Sequence, residues 1–318
     1  MNRLFWVFIK GMMMGIADLV PGVSGGTIAF ITEIYEELID SISKLRPAAL
    51  KTLYKEGFKA FWSAINGSFL SAVFGGILFS VFSFSYLISW LYQNQQVGLF
   101  AFFFGILISS FFFLKNSISR WKISHLLTLV LGAVGAFVLT QLAPTTNQVS
   151  DTYLFFCGFI AISAMLLPGL SGSYLLLVLG VYPLVLESLR GFVSLVSNFD
   201  QKLLLLYGSR LALLALGIIA GLLLFSRFLK WLLSRYKNHT MAALLGLMLG
   251  ASHKIWPWQI ATVFELGTTS KTQTHAVWPQ NFDGNPQLII AIICFILGVG
   301  MLVVLEKIRQ NKSTHEHH

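Results

Sequence analysis

The sequence has little charge. Only 11% of its 318 residues are Asp, Glu, Lys or Arg, against roughly 25% in a soluble globular domain. So few cannot cover a water-facing surface at this length. That argues against a soluble enzyme, a disordered scaffold and a nucleic-acid-binding domain. Acidic residues are the scarcer sign, 13 against 22 basic, for a formal net charge of +9. Cysteine is nearly absent. Cys157 and Cys294 both lie in apolar runs, which offers no disulfide framework and no metal-ligand spacing. A cleavable leader is not expected either. Arg3 and an apolar stretch open the chain, but Lys10 interrupts that stretch and no small-residue cleavage site follows.

What is plentiful is apolar: 56% hydrophobic residues, 28 of them Phe, with a mean hydropathy of +0.75. This is the composition of an integral membrane protein, and the basic excess follows if Lys and Arg collect in cytoplasmic loops. A spanning helix needs ~20 mostly apolar residues. Six segments are read as spans: 67–92, 97–114, 123–143, 203–229, 239–253 and 287–305. The fifth is short and weak. Two more apolar segments are broken. One, about 4–42, is cut by Pro21-Gly22-Val23-Ser24-Gly25-Gly26; the other, about 152–189, by Pro168-Gly169-Leu170-Ser171-Gly172-Ser173. Proline and clustered glycine end a helix, so each reads as helix, tight turn, helix.

The broken segments are copies of one another. A shift of 147 residues superposes Pro-Gly-x-Ser-Gly on itself and aligns Ala17 with Ala164, Leu19 with Leu166, Tyr35 with Tyr182 and Ser41 with Ser188. That makes eight identities over positions 17–41. A weaker echo pairs Ala101–Ser110 with Ala242–Ala251, and so Gly105 with Gly246. The chain reads as a tandem duplication with halves 1–148 and 149–318.

Charge gives the halves an orientation. If each broken segment enters and leaves the membrane on one side, each half crosses three times, and the second half is inverted. With the N-terminus inside, 17 of the 22 Lys and Arg face the cytoplasm. Arg190, Lys202, Lys254 and Lys271 lie outside, and Arg210 falls within a span. A single crossing by each broken segment would instead put the basic clusters at 44–59 and 115–122 outside, against the positive-inside rule. The expected fold is therefore all-α and integral to the membrane: two inverted repeats, each a re-entrant helical hairpin plus three transmembrane helices, with both termini cytoplasmic. Residues 44–62 read as a basic amphipathic helix on the inner surface. Residues 254–286 read as a polar outer loop whose Trp256, Trp258 and Trp278 form an interfacial belt. The final His-Glu-His-His reads as a solvated tail.

Irregular backbone at membrane depth must be buried in protein or line a wet cavity. Inverted repeats with broken helices place ligands where half-helix ends meet. A helix N-terminus offers free N–H groups and a positive dipole end, which suit a phosphate. Ser24, Gly25, Gly26 and Thr27 of the first turn, and Ser171, Gly172 and Ser173 of the second, are the candidate phosphate ligands. Pro21, Gly22, Pro168 and Gly169 shape the turns. A simple tight turn with N-capping serines is the bland alternative, weakened by the presence of two symmetric copies. Ionisable residues inside a membrane are costly. Arg210 is a candidate phosphate ligand or a snorkelling residue. Asp18 is a candidate coupling site or a partner for Arg210. Glu33 is a candidate coupling site or part of a surface acidic face with Glu36, Glu37 and Asp40.

The double motif, Gly15-Ile-Ala-Asp-Leu-Val-Pro-Gly-Val-Ser-Gly-Gly-Thr27 and Met165-Leu-Leu-Pro-Gly-Leu-Ser-Gly-Ser-Tyr174, resembles a family first known only as a membrane domain of unknown function and now described as bacterial polyprenyl-phosphate transporters. The resemblance covers nearly the whole chain. It implies movement of undecaprenyl phosphate from the outer to the inner leaflet of the cytoplasmic membrane, which recycles the carrier lipid for peptidoglycan. It carries the family's motifs onto Pro21 to Thr27 and Pro168 to Ser173. Glu33 departs from it: family members often have glycine there, as Gly180 is in the second copy. Membrane lipids, and H+ or Na+ as a coupling ion, are the other partners considered; nucleic acid, a metal and a cofactor are not expected. Phe100 to Phe104 and Phe111 to Phe113 are candidates for an apolar groove or for lipid-facing packing. A lipid phosphatase and a small-anion transporter are the competing readings.

Overall fold

The computed structural model describes residues 3–20, 23–118, 120–142, 150–194, 200–266 and 269–315. Pro21 and Gly22 lie outside the described residues. Each of the six expected spans falls on one helix: α5 (Gly67–Asn94), α6 (Gln96–Leu114), α7 (Ile123–Gln141), α11 (Gln201–Arg235), α12 (Lys237–Ala251) and α13 (Leu288–His315). Four of these, α5, α6, α7 and α11, are long and apolar enough to cross a membrane. The chain is thus an all-α membrane protein in its main architecture. At about 1.5 Å per residue, the 15 residues of α12 reach roughly 22 Å, short of a ~30 Å hydrocarbon core. The 35 residues of α11 reach roughly 52 Å, so its ends project beyond it.

Each broken segment holds three helices, not the two expected. The first is α1 (Arg3–Asp18), α2 (Gly25–Ile31) and α3 (Tyr35–Ser43); the second is α8 (Asp151–Met165), α9 (Gly172–Val178) and α10 (Tyr182–Ser194). The extra break falls at Glu33, with φ 58°, and at Gly180, with φ 76°. These are the left-handed region that glycine enters freely and other residues enter at a cost. The break turns the chain sharply, and α9 and α10 lie at 109°. The helix limits themselves repeat: α1 and α8 end, α2 and α9 begin and end, and α3 and α10 begin at positions 147 residues apart.

Glycine sets how the long helices pack. A Cβ on Gly11 would overlap the Val73 carbonyl and one on Gly76 the Phe8 carbonyl, so α1 and α5 touch backbone to backbone. Gly158 meets the Leu214 carbonyl and Gly217 the Phe155 carbonyl in the same way, joining α8 to α11. This is the small-residue packing that membrane helices use where hydrophobic burial gives no preference. The last helices are exchanged between halves. Gly105 of α6 lies on the Phe295 carbonyl of α13, and Gly298 on the Phe102 carbonyl. Gly246 of α12 lies on the Leu129 carbonyl of α7, and Gly132 on the Ala243 carbonyl.

The core gathers around α2 and α3, where Ala29, Phe30, Tyr35 and Ile39 are buried with Leu244, Leu245 and Met248 of α12. Phe100 and Phe103 join this core, whereas Phe112 faces outward. The segment between α12 and α13 corrects the purely helical expectation. Strand β1 (Gln259–Leu266) pairs antiparallel with β2 (Thr269–Ala276), Gln259 opposite Ala276 and Leu266 opposite Thr269. Its tryptophans pack on one another, Trp256 lying 5.5 Å from Trp258 and 6.0 Å from Trp278 between ring centroids. The Trp256 indole N–H donates to the Val277 carbonyl and that of Trp258 to the Pro286 carbonyl. These contacts tie the loop together. The amphipathic segment is α4 (Pro47–Ala64), interrupted at Gly57 with φ +84° and exposing Tyr54 and Phe58.

Candidate functional site

The two Pro-Gly-x-Ser-Gly turns meet. The amide of Gly169 donates to Thr27 Oγ1 at 2.8 Å, across 142 residues of sequence. Tyr35, fully enclosed, donates its hydroxyl to the Leu166 carbonyl at 2.7 Å. Gly26 faces the Met165 carbonyl so closely that a Cβ would stand 2.8 Å from it. The first turn and the start of α3 thus dock on the end of α8 and on the turn beyond it. Gly169, with φ +86°, lies against the α12 backbone at Leu247 and Met248, and a side chain there would be both strained and obstructed.

Asp18, the last residue of α1, accepts a hydrogen bond from the Gly25 amide at 2.6 Å. The space a Cβ on Gly25 would need is filled by this carboxylate, and that beside Gly172 by the Ala161 carbonyl. The protein's own acidic side chain therefore satisfies the first exposed amide of α2. Ser24 stands at the N-cap position with extended backbone, φ −121° and ψ 131°, but makes no cap bond. Its hydroxyl is buried, only 3% of the residue being exposed, and has no hydrogen-bond partner among the described residues. An unsatisfied buried hydroxyl costs about 1–3 kcal/mol, so its presence asks for a reason. In the second turn Ser171 Oγ and Ser173 Oγ lie 2.9 Å apart and share a hydrogen bond at the surface. Pro168 is enclosed.

Ser24 and Thr27 line a cavity of about 20 Å³ with Val23, Ile28, Ile31, Phe103, Ile106, Leu107, Gly169, Ala251 and Ile255. A water needs roughly 10–15 Å³ on this measure, so the space holds about one. A phosphate group enters only if the turns part.

Arg210 is not brought to the turns. Its Nε donates to Asp151 Oδ1 at 3.2 Å, in an ion pair at the first residue of α8. The motif follows the last residue of that helix, about 21 Å away along it. The pairing of Arg210 with Asp18 raised by the sequence is therefore replaced by Arg210 with Asp151. Glu33 is exposed and marks the left-handed break. The sequence reading missed Tyr35 as a bridge between halves, although its identity with Tyr182 was visible. It also missed the second-turn surroundings: Tyr174 donates to the Thr140 carbonyl at 2.7 Å, and Lys254 lies over its ring at 5.5 Å. Tyr174 directly follows the motif, which was the available signal. Among the described residues no group of His, Cys, Asp and Glu is arranged to hold a metal ion.

Residues 14–274 match the family described as undecaprenyl phosphate translocase-like. A protein of Vibrio cholerae named polyprenyl-phosphate transporter is 38% identical over 307 residues, covering 94% of this chain and 95% of its own. One of Staphylococcus aureus with the same name is 31% identical over 271 residues, covering 81% and 88%. No solved structure matches. With a match over most of its length and a near full-length relative, the chain belongs to the undecaprenyl phosphate translocase-like family.

Proposed function

We propose that this protein moves undecaprenyl phosphate from the outer to the inner leaflet of the bacterial cytoplasmic membrane, holding the phosphate between its two turns. The observation that carries this is the junction of the turns, where Thr27 and Gly169 are bonded and line one cavity with a Ser24 hydroxyl that has no partner among the described residues. The two relatives named polyprenyl-phosphate transporter support the substrate class. In this reading the pairs α1–α2 and α8–α9 are re-entrant hairpins inserted from opposite faces, and the two halves are inverted repeats.

A phosphate reaching the junction replaces two internal contacts. It takes the Gly25 amide from Asp18 and the Gly169 amide from Thr27. It then gains the Ser24 and Thr27 hydroxyls on one side, the Ser171 and Ser173 hydroxyls on the other, and the amides of Gly26 and Gly172 at the helix starts. The Gly169 amide exchanges a neutral bond for a stronger charge-assisted one, the Gly25 amide exchanges one anion for another, and the hydroxyls and the Gly26 and Gly172 amides supply the rest of the gain. Asp18, released from Gly25, is repelled by the phosphate. Taking up a proton, or drawing in a sodium ion, relieves that repulsion and makes Asp18 the candidate coupling residue. Arg210, at the far end of α8, serves as an outer-rim attraction for the headgroup. The isoprenoid chain stays in the lipid-exposed apolar surface while the headgroup passes.

The test uses purified protein in liposomes containing undecaprenyl phosphate, scored by accessibility of the phosphate in the outer leaflet. Wild type is expected to deplete it, and a Ser24→Ala/Ser171→Ala protein to fail with its fold intact. Depletion unchanged in the double variant would overturn the site. Release of inorganic phosphate from a lipid pyrophosphate would favour a phosphatase. Flux of a small anion without polyprenyl lipid would favour an anion transporter.

A further inference from the structure

A second set of contacts joins the two halves, at the end of the molecule where the basic loops lie. Glu36 and Asp40 are four residues apart and so share one face of α3. Opposite them stand Arg227 and Lys230 near the end of α11, and Lys237 at the start of α12. Lys230 Nζ lies 2.5 Å from Asp40 Oδ1, and Lys237 Nζ 2.8 Å from Glu36 Oε1. Arg227 donates to the Leu45 carbonyl at 2.9 Å. Lys44 Nζ, from the same half as Asp40, adds a 2.6 Å contact to Asp40 Oδ2.

The corresponding place in the other half is built differently. The 147-residue shift takes Glu36 and Asp40 to Pro183 and Glu187. The 141-residue shift that pairs Gly105 with Gly246 takes Arg227, Lys230 and Lys237 to Tyr86, Ser89 and Gln96. One carboxylate is kept and all three cations are gone. The packing follows the charge: α3 packs along α11, but among the described residues α10 has no comparable packing against α5. Beside α10 lies a groove of about 550 Å³ between α10 and α11 of the same half, whose walls include Glu187, Arg190 and Tyr207. One end of the molecule is tied across the halves by ion pairs, and the other is not.

We infer that Glu36 and Asp40, with Arg227, Lys230 and Lys237, form a charge latch that holds the cytoplasmic side shut and must part before the phosphate is released to the inner leaflet. This rests on the transport reading for its role, though not for its existence. The side chains of Asp40 and Lys230 are 37% and 43% exposed. Pairs this open to water are individually weak and are screened by salt, which suits a contact broken in every cycle. The absence of matching cations at the other end makes the inside-closed arrangement the resting one.

The latch is tested without lipid substrate, by distance measurement between spin labels. Labels go on Arg46→Cys and Arg235→Cys, both exposed, in full-length protein with Cys157→Ala and Cys294→Ala. The parent is expected to show mainly a short distance with a minor long one. Asp40→Lys is expected to raise the ratio of long to short distances about two- to fivefold, the range open to an exposed pair. Asp40→Lys/Lys230→Asp is expected to restore the parent ratio. Asp40→Asn, which keeps the side-chain size, and about 0.5 M salt on the parent are expected to move it in the direction of Asp40→Lys. An unchanged ratio in Asp40→Lys and Asp40→Asn, or no recovery in the double reversal, overturns the latch. Recovery in the double reversal, with no wild-type movement of undecaprenyl phosphate in liposomes, keeps the latch and removes the transport reading.

Discussion

Ser24 and Thr27 separate stability from function. Ser24 buries a hydroxyl that nothing among the described residues satisfies, so Ser24→Ala breaks no hydrogen bond among them. Its thermal midpoint in detergent is expected to equal or exceed that of wild type. Transport is expected to fall about tenfold, since a hydrogen bond to a charged group contributes roughly 1.5–3 kcal/mol. Thr27→Val is the opposite case. It leaves the Gly169 amide without its acceptor, and a buried orphan costs about 1–3 kcal/mol, so its midpoint is expected to drop. A fall in stability for Ser24→Ala would mean that its hydroxyl has a structural partner. Glu33 makes a second residue-scale prediction. Its φ of 58° is relieved by glycine, so Glu33→Gly is expected to stabilise by about 1 kcal/mol with transport unchanged, checked by the same melt.

At the scale of elements, the crossed pairs α6–α13 and α7–α12 leave no room for a side chain at Gly105 or Gly246. Gly105→Leu and Gly246→Leu are both expected to lose monodisperse protein in size-exclusion chromatography, and to a similar degree. A large asymmetry would break the equivalence of the two pairs. Helix α3 carries a pH dependence through Asp40. Burial raises the Asp40 carboxyl, but hydrogen bonds from Lys230 and Lys44 outweigh it and hold the group below its ordinary value of 3.8. A depressed carboxyl stabilises the folded form above its unfolded-state value and loses that contribution as pH falls through its folded value. The α3–α11 contact is therefore expected to be intact at neutral pH and to weaken only below about pH 4, read from the same spin-label distance. Much at this scale was legible in the sequence. Long apolar runs marked the four helices long and apolar enough to cross a membrane, because a helix in lipid must satisfy its own backbone. Pro and Gly marked the first break in each copy. The second break was missed because Glu33 is no turn former, and Gly180 alone is weak. The hairpin β1–β2 was missed because its polar, Thr-rich second strand shows no apolar alternation.

For the whole molecule, the proposed inverted arrangement predicts sidedness. Single cysteines at Lys115 and Lys202, in cysteine-free protein, are expected to react with an impermeant maleimide from opposite sides of the membrane. Labelling from one side would reject the three-crossing halves. Loop charge gave this expectation directly, because orientation follows the Lys and Arg distribution. The site was legible only in part. Two matching turns announced themselves, but the bond between Thr27 and Gly169 joins positions 142 residues apart. Nothing in the linear pattern says which atoms meet there. Arg210 shows the same limit: sequence gave it a depth in the membrane, while its partner Asp151 came from folding.

The exchange of last helices between halves also fixes an order of assembly. Gly105 of α6 rests on Phe295 of α13, about 190 residues later in synthesis. At roughly 5–20 residues per second, α6 waits on the order of 10–40 s in the bilayer with its glycine face uncovered. During that interval the apolar lipid solvates it well enough, so what is deferred is close packing and not burial. The C-terminal helix is then the piece that completes the first half, and a chain cut short before it leaves both halves unfinished.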